Sequence, residues 1–534
     1  MPAEQHEGDQ RAQLEVETTL DADSGFTVPA LVGTGRVASV QLREAAELDA
    51  TYYDTAELTL IRSGITLRRR SGGSDAGWHL KLPASGGRLE VQRPLTGASP
   101  PAALLALAQA WLRGRDVGPV ARLRTTRTVH DLYADDGRRL AELADDAVRA
   151  ESYAAGSDLG SSSDWREIEV ELVDGRADDV LAPVADALLA AGARPAVTTS
   201  KLARALQARL EPTPAHVSEP AGAAGVVLAY LREQLAELLL TDAHVRMDEH
   251  DAVHRMRVAC RRLRSTLASY GAFFTGGDGS SADGVRRLRD EIAWIAGVLG
   301  EARDAEVMRH HLLASLDAQP PEWVLGPVAH RIETELGRRY TEAHAASVRA
   351  LDSQRYGVLL DDLEAFLAEP PFDPAIAEAG RKAAADLLTG RVRHAHHRVE
   401  KAAKKAAKAT SPEVHDLQMH EVRKAAKRAR YAAEVAALDV PTRTGGSSRS
   451  PVRTQARAYA KAAKEVQEIL GDHHDAVVLR DELMLLATRA GRWGEPGFTY
   501  GLLHADLGHR RALDEVAYEA AWQTLGEVAS GWPA

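Results

Sequence analysis

The period of the hydrophobic pattern changes once along this chain, and that change limits what it can fold into. Before the stretch "LEPTPAHVSEPAGAAG" (residues 210–225) apolar and polar residues alternate, the two-residue period of half-buried strands. Beyond it apolar residues recur at helical spacing. A Pro-, Ala- and Gly-rich stretch between two such regimes reads as a linker, placed at 211–223. With 534 residues the chain exceeds one ordinary core, so two domains are expected, over residues 10–210 and 224–525.

The first region holds the strand-like runs "LEVETTL", "GITLRRR", "WHLKLP", "RLEVQRPL", "ARLRTTRTVHDLY", "RRLAELADDAVRAESY" and "WREIEVELVDG". Helical patterns intervene at "SPPAALLALAQAWLRG", "RADDVLAPVADALLAAG" and "SKLARALQARL". An antiparallel α+β domain follows, its sheet large enough to curl into a barrel.

Alternation sorts the charges of these strands by face. Glu15, Glu17 and Thr19 share one face, as do Glu167, Glu169 and Glu171. Arg68 and Arg70 share a face, as do His79 and Lys81, and Glu90 and Gln92. In "RLRTTRT" the same reading groups Arg122, Arg124 and Thr126, with Arg127 on the opposite side. A polar face turned to water is the ordinary antiparallel arrangement. Here, however, the other faces carry Leu14, Val16, Leu67, Leu80, Ile168 and Val170, which can pack outward against helices. The charged faces then enclose a channel, where carboxylates hold a hard divalent cation and guanidinium groups clamp phosphate.

These residues resemble the CYTH family, the triphosphate tunnel metalloenzymes. The E-x-E-x-K signature is met by Glu15 and Glu17, with Thr19 in place of the lysine. "ATYYDT", "GITLRRR", "WHLKLP", "EIEVEL" and "TSKLARAL" follow in the family's order over roughly residues 10–210. The resemblance implies an eight-stranded antiparallel tunnel that hydrolyses or cyclises a triphosphate with Mg²⁺ or Mn²⁺. It implies metal ligands at Glu15, Glu17, Glu169 and Glu171, and catalytic cations at Arg68, Arg70 and Lys81. Arg122, Arg124, Lys201 and Arg204 would bind substrate phosphates. Thr19 replaces a cation with a neutral hydroxyl; loss of one electrostatic stabiliser can cost on the order of 100-fold in rate.

The second region repeats itself. "VHRMRVACRRLRSTLASY" (253–270) matches "MHEVRKAAKRARYAAEVA" (419–436), and "LRDEIAWIAGVLGEARDAEVM" (288–308) matches "YAKAAKEVQEILGDHHDAVVL" (459–479). Two pairs in one order predict a duplicated all-α bundle, about 224–370 and 380–525. Val253, Met256, Cys260, Leu263 and Leu267 form a core stripe; so do Met419, Val422, Ala426 and Ala429. Beside the first runs His254, Arg257, Arg261 and Arg264; beside the second, His420, Arg423, Lys427 and Arg430. Neither stripe contains an acidic residue, and "RVRHAHHRVEKAAKKAAKA" (391–409) adds further cations. A flexible polyanion suits such stripes. Nucleic acid suits them less, because no aromatic side chain offers a stacking platform.

This half resembles the CHAD family, conserved-histidine helical domains of two pseudo-symmetric bundles that bind inorganic polyphosphate. His254 and His420 match its histidines, and the eight stripe residues would bind polyphosphate. "LGDHHDAV" (470–477) suggests a DHH-type phosphoesterase metal site, yet its counterpart "LGEARDAE" lacks both histidines and the segment reads as helix followed by loop. Asp304 and Asp475, common to both copies, are expected to cap or to pair with basic neighbours.

A net charge of -11 argues against general nucleic-acid binding, and the single cysteine excludes an internal disulfide. The start "MPAEQHEGDQ" has no apolar core, no run suits a membrane helix, and neither a P-loop nor an H-E-x-x-H is present. The expected protein is cytoplasmic, associated with polyphosphate granules, and hydrolyses inorganic triphosphate or a similar short chain. The alternative is a non-catalytic polyphosphate-binding or targeting protein. Adenylate cyclase or nucleoside triphosphatase activity is less favoured, because nothing recognises a base.

Overall fold

The computed structural model describes residues 11–532 except 74, 85–86, 154–158, 199, 211–219, 276–279, 379–380 and 439–450. It divides into two compact units between His216 and Val217. Most of the expected linker lies outside the described residues. No helix among the described residues is long and apolar enough to cross a membrane.

Among the described residues eleven strands build the first unit: β1 (Arg11–Glu15), β2 (Glu17–Ala22), β3 (Ser39–Leu42), β4 (Ala46–Asp54), β5 (Thr66–Ser71), β6 (Gly77–Ala84), β7 (Gly87–Arg93), β8 (Gly118–Tyr133), β9 (Arg139–Tyr153), β10 (Leu159–Leu172) and β11 (Arg194–Pro195). Their order is β1-β7-β6-β5-β4-β8-β9-β10-β2-β11, all antiparallel, with β3 beside β8. The expected single strand "LEVETTL" is interrupted at Val16. Its first part pairs with β7 and its second with β10. The Val16 carbonyl accepts the Leu172 N–H at 2.9 Å. One stretch of chain thus joins both ends of the sheet, and the ring of β1–β2, β7, β6, β5, β4, β8, β9 and β10 closes. Closure satisfies the backbone groups that open edge strands would expose.

The outer face of this ring is apolar where helices cover it. Leu20, Leu132, Leu140, Leu143, Ile168 and Val170 pack with Val180, Leu181, Val184 and Leu188 of the helix Ala177–Ala190. Burying each such side chain stabilises by about 1.5–3 kcal/mol, so the hydrophobic drive is met outside the ring. A second cluster closes off part of the interior. Leu202 and Ala205 of the helix Lys201–Ala205, followed by Leu206, pack on Ala50, Tyr52, Leu123 and Val148. Ser200 caps that helix, its hydroxyl accepting the Ala203 N–H at 3.4 Å.

The second unit is helical. The repeat helices Ala252–Ser269 and Pro412–Ala436 pack on each other and lead into the long helices Ser280–Asp317 and Pro451–Arg492; a further helix, Phe498–Ser530, packs along the latter. Every residue of both expected core stripes is buried, Cys260 included. "LGDHHDAV" differs from its reading as helix and loop: it lies wholly inside the helix Pro451–Arg492, where Leu470, Ala476 and Leu479 keep helical period against the core.

Candidate functional sites

The ring encloses a cavity of about 560 Å³, lined by Glu17, Arg68, Arg70, Lys81, Glu169, Glu171 and Lys201 among others. Glu15 pairs through its backbone with Arg88; its side chain lies outside the described residues. Cross-strand register places Glu17 opposite Glu171, and Glu171 opposite Glu142. All three line the cavity. Glu142 lies 3.2 Å from Arg43 and 3.5 Å from Arg139. Burial pushes the Glu171 carboxyl up; Lys81 opposes this, while Glu17 and Glu142 add to it.

Deeper in, Lys201 occupies the centre of a carboxylate cluster. Its Nζ lies 2.6 Å from Glu167, 2.6 Å from Glu169 and 3.0 Å from Asp146. Arg127 adds a bidentate pair to Asp146 at 2.8 and 2.6 Å and reaches Glu169 at 2.9 Å. Burial works against the charges of Arg127, Glu167, Glu169 and Lys201, but the cations prevail at Glu169, which is held well below the usual carboxylate range. The same carboxylates hold Lys201 above its usual value despite burial. Lys201 therefore lines the cavity with its charge already engaged, and Glu169, unlike Glu17 and Glu171, is paired with two cations among the described residues.

Opposite stand the cations. Burial, then Arg68 and Arg127, push the Arg70 guanidinium down to about 9, even though it pairs with Asp75. Arg68 is 3.5 Å from Glu90. His79 is pushed down to about 4 by burial, its Nδ1 2.8 Å from Glu90.

Three expected phosphate ligands do not line the cavity. Arg122 makes a bidentate pair with Asp49 at 2.9 and 2.5 Å, and Arg124 turns to Glu151 at 3.3 Å. Along β8 it is Leu123, Thr125 and Arg127 that face inward. The parity is set by Leu123, which joins the Leu202 cluster inside the ring and turns its neighbours out. Arg127, placed on the outer face by the sequence reading, is thereby brought in. Arg204 instead pairs with Asp21 at 2.6 Å and lies over the Trp165 ring at 4.9 Å. Arg43 and Glu142 also line the cavity and are not among the expected site residues; inverting the alternation of β8 brings Arg127 into the expected set.

Two groups of carboxylates are candidates for holding a cation. Asp146, Glu167 and Glu169 can each bring one oxygen within 4.8 Å of the others, but the Lys201 ammonium already serves them. Glu17 and Glu171 fit better: they are like charges in direct register, and neither makes a hydrogen bond or ion pair among the described residues. An all-oxygen donor set of this kind suits a hard divalent ion.

In the helical unit the two stripes meet. Arg261 donates to the Tyr431 hydroxyl at 2.6 Å, across the contact between the repeats. Burial, then Arg423 and Arg261, push the Lys427 ammonium down to about 7. Arg257 pairs with Asp304 at 3.0 Å, and Arg423 lies 3.9 Å from Asp475, so neighbouring helices supply the acids that the stripes lack. Both guanidinium groups lie against a glycine of the following helix. A Cβ on Gly300 would stand 3.3 Å from Arg257 Nη2, and one on Gly471 would stand 3.1 Å from Arg423 Nη2. Arg430 bonds Glu434 at 2.7 Å and Gln467 at 3.0 Å, whereas Arg264 is exposed. Burial, then Arg303, lowers His254; burial, then His474, whose ring centroid is 4.2 Å away, lowers His420 to about 4.

Residues 29–205 match the CYTH domain family and residues 229–484 the CHAD domain family. Two proteins of Mycobacterium tuberculosis, the uncharacterized proteins MT2285 and Rv2226, are each 40% identical over 520 residues, covering 93% of this chain and 94% of theirs. Among solved structures, PptA from Streptomyces chartreusis is similar at 23% identity and a TM-score of 0.43, covering 57% of this chain and 99% of that one. HpAC1 from Hippeastrum, an adenylyl-cyclase-like protein with a dominant triphosphatase activity, is similar at 16% identity and a TM-score of 0.21, covering 37% and 98%.

Proposed function

The chain belongs to the CYTH family over residues 29–205 and to the CHAD family over residues 229–484, and on that premise we propose that its tunnel hydrolyses inorganic triphosphate or a similar short phosphate chain. The observation that carries this reading is the division of one cavity into two walls. Arg68, Arg70 and Lys81 stand on β5 and β6, and Glu17 and Glu171, which make no hydrogen bond or ion pair among the described residues, on β2 and β10. The cationic wall neutralises and aligns phosphoryl oxygens, and its attraction for them strengthens where water is excluded. Glu17 and Glu171, with Glu15, would hold Mg²⁺ or Mn²⁺. When bound, such an ion polarises a phosphoryl oxygen and activates water. The helical domain, through its two stripes, binds polyphosphate in this reading.

A second reading, polyphosphate binding without turnover, is favoured by Thr19. This neutral residue is in register with Glu169, where the family signature has a lysine. One assay separates the two: phosphate release from inorganic triphosphate with Mg²⁺ or Mn²⁺, resolved from any cyclic nucleotide made from ATP. Turnover in the native chain that is lost in Glu17→Gln/Glu171→Gln supports hydrolysis. No turnover above that variant, with polyphosphate binding retained, supports the second. Under the first reading Thr19→Lys raises turnover.

A further inference from the structure

The helical domain brings a mixed set of donors together beside its second cationic stripe, one turn before His420 on the same helix. The helix Pro412–Ala436 carries His415 and Asp416 in its first turns; Pro451–Arg492 carries His473, and Phe498–Ser530 carries Glu515. His415, Asp416 and Glu515 can each present one donor atom within 4.8 Å of the others. His473 Nε2 lies 3.3 Å from Glu515 Oε1 and 3.6 Å from Asp416 Oδ1.

Two further observations set this cluster apart from a surface ion-pair network. The His473 side chain is only 2% exposed, yet the matching position of the first repeat is Ala302, fully buried. Bundle packing is therefore satisfied by a methyl group, and the imidazole serves another purpose. Asp416 divides its oxygens: Oδ2 accepts from Arg511 at 2.8 Å, while Oδ1 is buried with no hydrogen bond. A buried carboxylate oxygen left without a donor is destabilising unless something else satisfies it.

The geometry points to a structural site for one transition-metal dication of the zinc class, held by His415, Asp416, His473 and Glu515. Two imidazoles and two carboxylates suit Zn²⁺; Mg²⁺ and Ca²⁺ prefer all-oxygen sets, as in the tunnel. With His473, 3.3 Å from Glu515, added to the three clustered donors, four protein ligands would fill the shell of a structural zinc, which assigns the ion to tying three helices together. Arg511, 2.8 Å from Asp416 Oδ2 and 3.9 Å from Glu515 Oε1, would remain as a partner orienting those two ligands.

The test uses the full chain carrying Glu17→Gln and Glu171→Gln, which removes the tunnel carboxylates from the measurement. The probe is Zn²⁺ alone, followed by Co²⁺ as a spectroscopic substitute. The expected result is one zinc retained per chain after dialysis, a raised Tm, and Co²⁺ bands with the intensity of a four-coordinate site. His473→Ala keeps the fold, as Ala302 does in the other repeat, and weakens Zn²⁺ binding at least about 100-fold; His415→Ala does likewise. The proposal is overturned if the parent retains no zinc, or if both variants retain it as the parent does.

Discussion

Glu17 on β2 and Glu171 on β10 stand in direct register inside a closed ring, and neither makes a hydrogen bond or ion pair among the described residues. Like charges so placed are destabilising by roughly 0.2–1 kcal/mol unless a cation separates them. Glu171→Gln should therefore raise the Tm of the metal-free protein slightly. It should also shrink the Tm rise produced by Mn²⁺. Thermal melts with and without the ion check both signs; an undiminished Mn²⁺ effect would place the metal elsewhere.

Lys201 holds three carboxylates, so Lys201→Met leaves Asp146, Glu167 and Glu169 facing one another with Arg127 alone. Removing one partner of a buried ion cluster costs about 3–5 kcal/mol. The sign with pH follows from Glu169. Its folded pKa is lowered, so in the native protein its contribution is fully present above the ordinary glutamate value and is lost as pH falls below it. Lys201→Met should accordingly cost most near pH 7 and least near pH 4, as denaturant titrations at the two values would reveal.

Lys427 should make polyphosphate binding pH-dependent. Burial and the neighbouring Arg423 and Arg261 push its folded pKa to about 7, below the unfolded value of about 10.4. Between those values the unfolded chain binds more protons, so the stability contribution rises with pH. A polyanion favours the protonated ammonium, so binding should take up a proton and weaken above pH 7, by up to about tenfold per pH unit. Calorimetry in two buffers measures the uptake; Lys427→Met should abolish it.

Gly300 and Gly471 should separate binding from stability. Alanine favours a helix interior over glycine by about 0.8–1 kcal/mol. Its Cβ, however, would press on Arg257 or Arg423 at 3.3 or 3.1 Å. Gly471→Ala is expected to leave Tm level or raised while lowering polyphosphate affinity severalfold. Unchanged affinity would mean that the guanidinium position against this helix does not matter for the ligand.

Much of this protein is legible in its sequence, and where legibility stops has a physical cause. The change of period at 210–225 determines two domains, one sheet-based and one helical, because strand and helix bury apolar faces at different spacings. The inward faces of β5, β6 and β10 are likewise determined, since each alternates a run of charge with a run of apolar residues. The matched stripes announce the duplication. On β8 the same rule is ambiguous: Arg122 and Arg124 lie on one parity and Arg127 on the other. Only the packing of Leu123 against Leu202, some eighty residues away, decides which arginine meets the cavity. Lys201 is similar, because its short helix identifies a cation but not the three carboxylates that β9 and β10 bring to it. Ring closure at Val16 needs both β7 and β10 in place. Local pattern settles which faces are charged, through the hydrophobic effect along each element. Which charges meet is decided by register and packing between elements, and there the tertiary structure alone divides Glu169, already neutralised, from Glu17 and Glu171, which are not.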